Sequence, residues 1–211
     1  MSAASPSVNS APSKSTPHKG LLLVISGPSG VGKTTITHEV ERRLNGTFSV
    51  SATTRPKTAA DVEGRDYYFL TDEQFAQWVR EDRFLEHASV FGKYSYGTPR
   101  EPVVKALAEG KLMILEIDVQ GAQQVKRAMP EAFMVFVLPP GEEVLLNRLR
   151  ARARDTEEAI QRRFAEAKRE IETARSCGLY DLFIVNDDLQ TAVADACAAV
   201  QARMNAQRTL R

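Results

Sequence analysis

The chain has 211 residues, 43% of them hydrophobic and 26% charged, with a formal net charge of +1 and two cysteines. That is enough apolar material for one buried core, while the longest apolar run falls far short of the roughly 20 residues that span a bilayer. Near-neutral charge excludes a global pull toward nucleic acid or anionic lipid, so any charge-driven recognition must be local. Cys177 and Cys197 lack metal-ligand spacing and read as buried or idle helical thiols of a reducing, cytoplasmic compartment.

Residues 1–19 are mostly Ser, Pro, Ala, Thr and Asn, with Lys14, His18, Lys19 and no acids. Little there offsets the entropy of ordering, so a disordered tail is expected. Without arginines, an amphipathic pattern or an apolar stretch, it does not read as a transit or secretion signal.

The run Leu21-Leu22-Leu23-Val24-Ile25 predicts a strand, and 35–44 a helix. Between them Gly27-Pro28-Ser29-Gly30-Val31-Gly32-Lys33-Thr34 fits the phosphate-loop pattern. Its glycines let successive backbone N–H groups turn toward phosphate oxygens, and the helix adds its positive end. In such a loop Lys33 reaches the β- and γ-phosphates of ATP, and Thr34 a magnesium ion. The competing reading, a glycine-containing turn with a solvated lysine, fails to explain why strand, loop and helix follow in this order.

A second strand is expected over 48–52, before Pro56 and a polar loop at 58–66, then a short strand over 67–70. Thr71 with Gln74 has capping-box spacing, predicting a helix from near Asp72 that turns Phe75, Trp78 and Val79 inward. A strand over 84–91, a turn over 92–97 and a second capping box at 98–101, with Pro99 at its first helical position, follow. These small elements form an insert between core strands.

Residues 111–118, 133–138 and 181–185 return to near-continuous apolar runs separated by helical material. The alternation implies an α/β fold, a doubly wound parallel sheet of the P-loop NTPase type with ligands at the carboxyl ends of its strands. Helices are expected over 142–152 and from a cap at Asp155 with Glu158, the latter burying Ile160, Phe164, Ala167, Ile171 and Ala174. Arg148, Arg150, Arg152, Arg154, Arg162 and Arg163 cluster here. A final helix aligns Leu189, Val193, Cys197, Val200 and Met204.

The combination of 26–34 with Val-Ser-Ala-Thr-Thr-Arg at 50–55, Gly-Arg-Asp-Tyr at 64–67, Tyr-Gly-Thr at 96–98, Ile-Asp-Val-Gln-Gly at 117–121 and Val-Asn-Asp-Asp at 185–188 resembles the guanylate kinase family over 20–207. The resemblance implies transfer of the γ-phosphoryl group of ATP to GMP, and to dGMP, with magnesium. It implies a core with a GMP-binding insert over about 52–103 and a lid over about 141–163, working as a monomer or homodimer without nucleic-acid or membrane partners. By resemblance Arg55 and Tyr67 hold the acceptor phosphate, with Tyr96 on the opposite wall, and Arg148, Arg152 and Arg163 are the lid and transfer arginines. Glu86 matches the guanine-reading glutamate, with Ser51, Thr98 and Asp118 around the base and Asn186 near the adenine of ATP. Guanine presents N1–H and its N2 amino group side by side to one carboxylate, whereas adenine offers an acceptor at N1. Acceptor phosphate is already largely ionised at neutral pH, its second pKa being about 6, so no general base is required.

Three features depart from the family pattern. Thr58 stands where a second phosphate-binding arginine is usual, with Lys57 beside it; the stretch before Tyr96 is one residue longer; and Ala151-Arg152-Ala153 replaces Gly-Arg-Gly, predicting a stiffer lid hinge. Two other functions compete. A related-fold sugar-phosphate kinase, acting on a ribose bisphosphate, would leave Glu86, Ser51 and Thr98 without a purpose. A non-catalytic peptide-binding version of the domain would have no use for an intact phosphate loop.

Overall fold

A computed structural model describes residues 20–90, 93–151 and 156–209. The expected tail at 1–19, Arg152 with its neighbour Ala153, Arg154, the cap at Asp155 and positions 91–92 lie outside the described residues. The elements run β1 (Leu21–Ser26), α1 (Lys33–Leu44), β2 (Thr47–Phe48), β3 (Ala52–Thr53), β4 (Tyr68–Phe69), α2 (Asp72–Arg80), β5 (Phe84–Val90) and β6 (Tyr94–Pro99). They continue α3 (Arg100–Ala108), β7 (Leu112–Glu116), α4 (Val119–Ala128), β8 (Phe133–Leu138), α5 (Glu142–Arg150), α6 (Glu157–Ser176), β9 (Leu182–Val185) and α7 (Leu189–Thr209).

Five strands form a parallel sheet in the order β2-β7-β1-β8-β9. Strand side chains alternate between faces, and every residue of β1 is buried because both faces are covered. Leu21, Leu23 and Ile25 pack with Ile36 and Val40 of α1 and with Val193 and Val200 of α7. Leu22 and Val24 pack with Val103 and Leu107 of α3 and with Ala122 and Val125 of α4. Each such side chain contributes about 1.5–3 kcal/mol of burial, so the doubly wound arrangement follows from one apolar run. From β1 the chain leads to β2 on one side, and from its neighbour β7 it leads to β8 on the other, so the connections part at the carboxyl ends of β1 and β7. The carboxyl ends of β1 and β7 therefore border one crevice. Among the described residues no helix is long and apolar enough to cross a membrane.

A second sheet, β4-β3-β6-β5, is built from residues between β2 and α3. Its core is Ala52, Phe75 and Phe84, with Trp78 partly buried against them. The capping box on α2 forms as read: Thr71 Oγ1 accepts from Gln74 N–H, and the Gln74 side chain accepts from Thr71 N–H. Val79, expected inside, is exposed. The Gln124 amide of α4 exchanges two hydrogen bonds with the main chain of His87, tying the edge strand β5 to the core layer.

Several expectations change. The strand read over 48–52 is two strands in different sheets, because Ser49 N–H is taken by Ile114 of β7 while Ala52 pairs with Tyr68 and Gly97. The turn read over 92–97 is largely β6, antiparallel to both β3 and β5. Pro99, not Thr98, is the N-cap of α3 and makes no side-chain cap. Thr156 is the N-cap of α6, accepting from Ala159 N–H. Cys177 is exposed at the C-cap of α6, and Cys197 is half-buried in α7.

Candidate active site

The loop at 27–34 joins β1 to α1. Gly32 caps α1 in the left-handed region, φ 95°, which a side chain resists. A Cβ there would also stand 2.5 Å from Asn186 Nδ2. Lys33 Nζ donates to the carbonyls of Gly27, at 2.5 Å, and Pro28, at 2.9 Å, so the ammonium sits across the loop. Thr34 Oγ1 donates to Glu116 Oε1, at the end of β7, at 2.8 Å. The loop borders a cleft of about 400 Å³ whose other walls include Glu116, Asp118 and Glu170.

Arginines of α5 and α6 reach the loop and its neighbour Asn186. Arg163 of α6 donates to Ser29 Oγ at 2.6 Å. Arg148 of α5 donates to the main-chain carbonyl of Asn186, just past β9, at 3.0 Å. Asn186 is buried, and its Nδ2 donates to the Val31 carbonyl at 2.7 Å. Burial pushes the Glu170 carboxyl up to about 7, against the pull of Lys33.

On the second sheet, Glu86 is buried and opposite Thr98 in the β5–β6 ladder; Thr98 Oγ1 donates to its Oε1 at 2.6 Å. Burial raises the Glu86 carboxyl above the ordinary range, with nearby Asp118 adding to the rise and the Thr98 bond opposing it. Asp118 caps α4, its Oδ1 accepting from Gly121 N–H at 2.7 Å. Asp118 thus faces the phosphate-loop cleft on one side and Glu86 on the other.

Arg55 lies beside the rings of Tyr67 and Phe69, its guanidinium carbon 5.3 and 5.5 Å from their centroids. Tyr67 meets Tyr96 edge-on at 5.9 Å, so Arg55, Tyr67 and Tyr96 form one corner despite the longer stretch before Tyr96. The Arg55 fork is bound bidentately by Asp61, both bonds 3.0 Å. Thr58 donates its N–H and its hydroxyl to the same carboxylate, each at 2.7 Å. These bonds, the Arg55 pair foremost, hold the Asp61 carboxyl well below the usual range. Lys57 Nζ lies over the same Phe69 ring, 5.9 Å from its centroid. Ser51 precedes β3, its carbonyl accepting from Tyr68 N–H at 2.9 Å.

A family model described as guanylate kinase matches residues 19–203. The chain belongs to the guanylate kinase family. It is 50% identical over 186 residues to a guanylate kinase of Carboxydothermus hydrogenoformans, covering 88% of this chain and 89% of that one. A guanylate kinase of Gloeobacter violaceus is 52% identical over 173 residues, 82% of each chain. The crystal structure of guanylate kinase from Anaplasma phagocytophilum superposes with a TM-score of 0.67 at 31% identity, covering 89% of this chain and 87% of that one. Membership makes the chain a nucleotide-binding kinase that phosphorylates GMP.

Three acids that the guanylate kinase motifs did not single out meet the predicted site residues: Glu116 and Glu170 line the phosphate-loop cleft, and Asp61 binds Arg55. Glu116 had a signal, a charge at the carboxyl end of an otherwise apolar strand run. Asp61 had a weaker one, the threonine-to-acid spacing of a side-chain-closed turn. Glu170 had none beyond its place one residue from the apolar stripe of α6.

Proposed function

We propose that this chain carries the γ-phosphoryl group of ATP to the phosphate of GMP, and of dGMP, by in-line transfer between the phosphate loop and the Arg55 corner. The observation that carries this reading is the double exposure of Asp118, which borders the phosphate-loop cleft and neighbours Glu86. A donor site and a base-reading site thereby share one wall. On this reading the core and the second sheet divide the work, with a GMP-binding insert over about 52–103 and a lid over about 141–163.

Glu86, kept in place by Thr98, accepts from guanine N1–H and N2, and Asp118 and Ser51 complete the base pocket. Arg55, Tyr67 and Tyr96 hold the acceptor phosphate. Lys33 and the loop amides hold the ATP phosphates, with Arg148, Arg163 and Arg152 neutralising charge that spreads through a loose transition state. Forked guanidinium groups suit phosphate oxygens better than ammonium groups do. Because the acceptor oxygen is ionised, no side chain is needed as a base.

Magnesium fits the cleft, where the Thr34 hydroxyl and the Glu116 carboxylate are adjacent hard oxygen donors. Thr34 would hold the ion, and the ion would neutralise β- and γ-phosphate charge. Its setting, on this reading, is the cytoplasm, as a monomer or homodimer with no nucleic-acid or membrane partner, consistent with the formal charge of +1.

Glu86→Ala tests the base-reading role. The expected result is loss of GMP turnover by a factor of about 10³ or more, with ATP affinity retained. Loss of ATP affinity in that variant would refute the role.

A further inference from the structure

Asn186 makes one contact that a nucleotide base does not require. Its buried Nδ2 donates to the carbonyl of Val31, in the middle of the phosphate loop, from 155 positions away in the chain. Its own N–H is taken by the Leu138 carbonyl at the end of β8, and its carbonyl accepts from Arg148. One residue therefore joins the ends of two core strands, the phosphate loop and a lid arginine.

The loop is shaped around this side chain. Gly32 leaves room for the amide, since any Cβ would come within 2.5 Å of Nδ2. Oδ1 is buried and has no hydrogen-bond partner among the described residues. The amide group is thus spent as a donor toward the loop. A carbonyl pinned outward fixes the peptide plane that follows it, and with it the direction of the Gly32 N–H, one of the donors that a phosphate oxygen would meet.

We propose that Asn186 is a positioning residue that preorganises the phosphate loop through Val31, acting on the ATP phosphates and not through the adenine. The inference rests on the phosphate-loop reading above and goes beyond it by assigning the residue's target. Loss of the donor frees the Val31 peptide to rotate, and the amides must then be reordered at each binding event. The cost falls on any ligand bearing a polyphosphate, whatever its base.

The test compares ATP, inorganic tripolyphosphate with magnesium, and GMP as ligands of the wild-type chain, Asn186→Ala and Asn186→Leu by calorimetry. Leucine fills the same volume and keeps the wall beside Gly32 but cannot donate, so it serves if alanine fails to fold. The expected result in the folded variants is a parallel loss of affinity for ATP and tripolyphosphate, about tenfold or more for a lost buried hydrogen bond. GMP affinity stays within about twofold, because its site lies on the other sheet. Weaker ATP binding with unchanged tripolyphosphate binding would overturn the proposal in favour of an adenine contact. Unchanged affinity for both, or an equal loss for GMP, would also overturn it. Failure of the wild-type chain to bind tripolyphosphate or ATP at all would instead sink the phosphate-loop reading.

Discussion

Thr98 donates its hydroxyl to Glu86 at 2.6 Å, and the two residues are buried and directly opposite each other in the β5–β6 ladder. A buried carboxylate without partners is costly, and a hydrogen bond to it is worth about 1.5–3 kcal/mol. Thr98 therefore favours the ionised form of Glu86, against the burial that disfavours it, and fixes the carboxylate's direction. Valine has nearly the same shape and no hydroxyl. Thr98→Val is expected to lower kcat/KM for GMP by about 10- to 100-fold, leaving KM for ATP within about twofold. Steady-state kinetics with each substrate varied in turn checks this, and equal losses on both substrates would contradict it.

Glu86 also sets a pH dependence. Burial raises its carboxyl above the ordinary glutamate value of about 4.3, and on the proposed reading the ionised form is the one that accepts guanine's two donors. As pH falls from neutral, Glu86 takes up its proton earlier than an exposed glutamate would, and guanine binding weakens. For the free protein the sign reverses: a carboxyl raised in the fold adds stability as pH falls through its folded pKa. Asp61, held low by Arg55 and Thr58, behaves oppositely, losing its contribution only below the unfolded aspartate value of about 3.9. Guanosine, with no phosphate of its own to titrate, is the ligand for this measurement. Its affinity should fall on the acid side at a pH above the ordinary carboxylate range, and an acid limb at the ordinary glutamate value would contradict the account.

Thr58 and Arg55 are separable. Thr58 gives both its donors to Asp61 and so supports Arg55 at one remove, whereas Arg55 itself carries the fork. Arg55→Lys keeps the charge and loses the fork, and should lower kcat/KM for GMP by about 100-fold. Thr58→Val should cost less than about fivefold, because the Thr58 N–H and the Arg55 pair still hold Asp61. A loss for Thr58→Val as large as for Arg55→Lys would mean that Thr58 meets the substrate directly.

Phe136 anchors the sheet behind the site. It is fully buried in β8, 5.0 Å from the Tyr180 ring and 5.9 Å from that of Phe183. Phe136→Ala should destabilise the chain by about 3–5 kcal/mol in denaturant unfolding. A cost below about 1 kcal/mol would show that the core there collapses around the gap.

The main sheet was legible because its signal is local. Leu21-Leu22-Leu23-Val24-Ile25 has no polar phase, which only a strand covered on both faces tolerates, and the glycines after it mark the loop. The second sheet was legible mainly in outline. Tyr94 to Pro99 carries glycine and proline, so its composition reads as a turn, yet pairing on both sides with β3 and β5 makes it a strand. Thr98 has capping spacing, but the ladder turns its hydroxyl to Glu86. Asp61 with Arg55, Glu116 with Thr34 and Asn186 with Val31 are pairings whose partners only the folded chain reveals. The last two span 82 and 155 positions, beyond any local pattern.

The most direct measurement is ADP formation from ATP and magnesium with GMP, dGMP, AMP, CMP, UMP and a ribose bisphosphate as separate acceptors, using Lys33→Ala as the blank. Turnover confined to GMP and dGMP, and abolished in the blank, is the predicted result. Turnover with the sugar phosphate and none with GMP would contradict the account, leaving the phosphate loop in place but removing every role assigned to Glu86, Thr98 and Asp118.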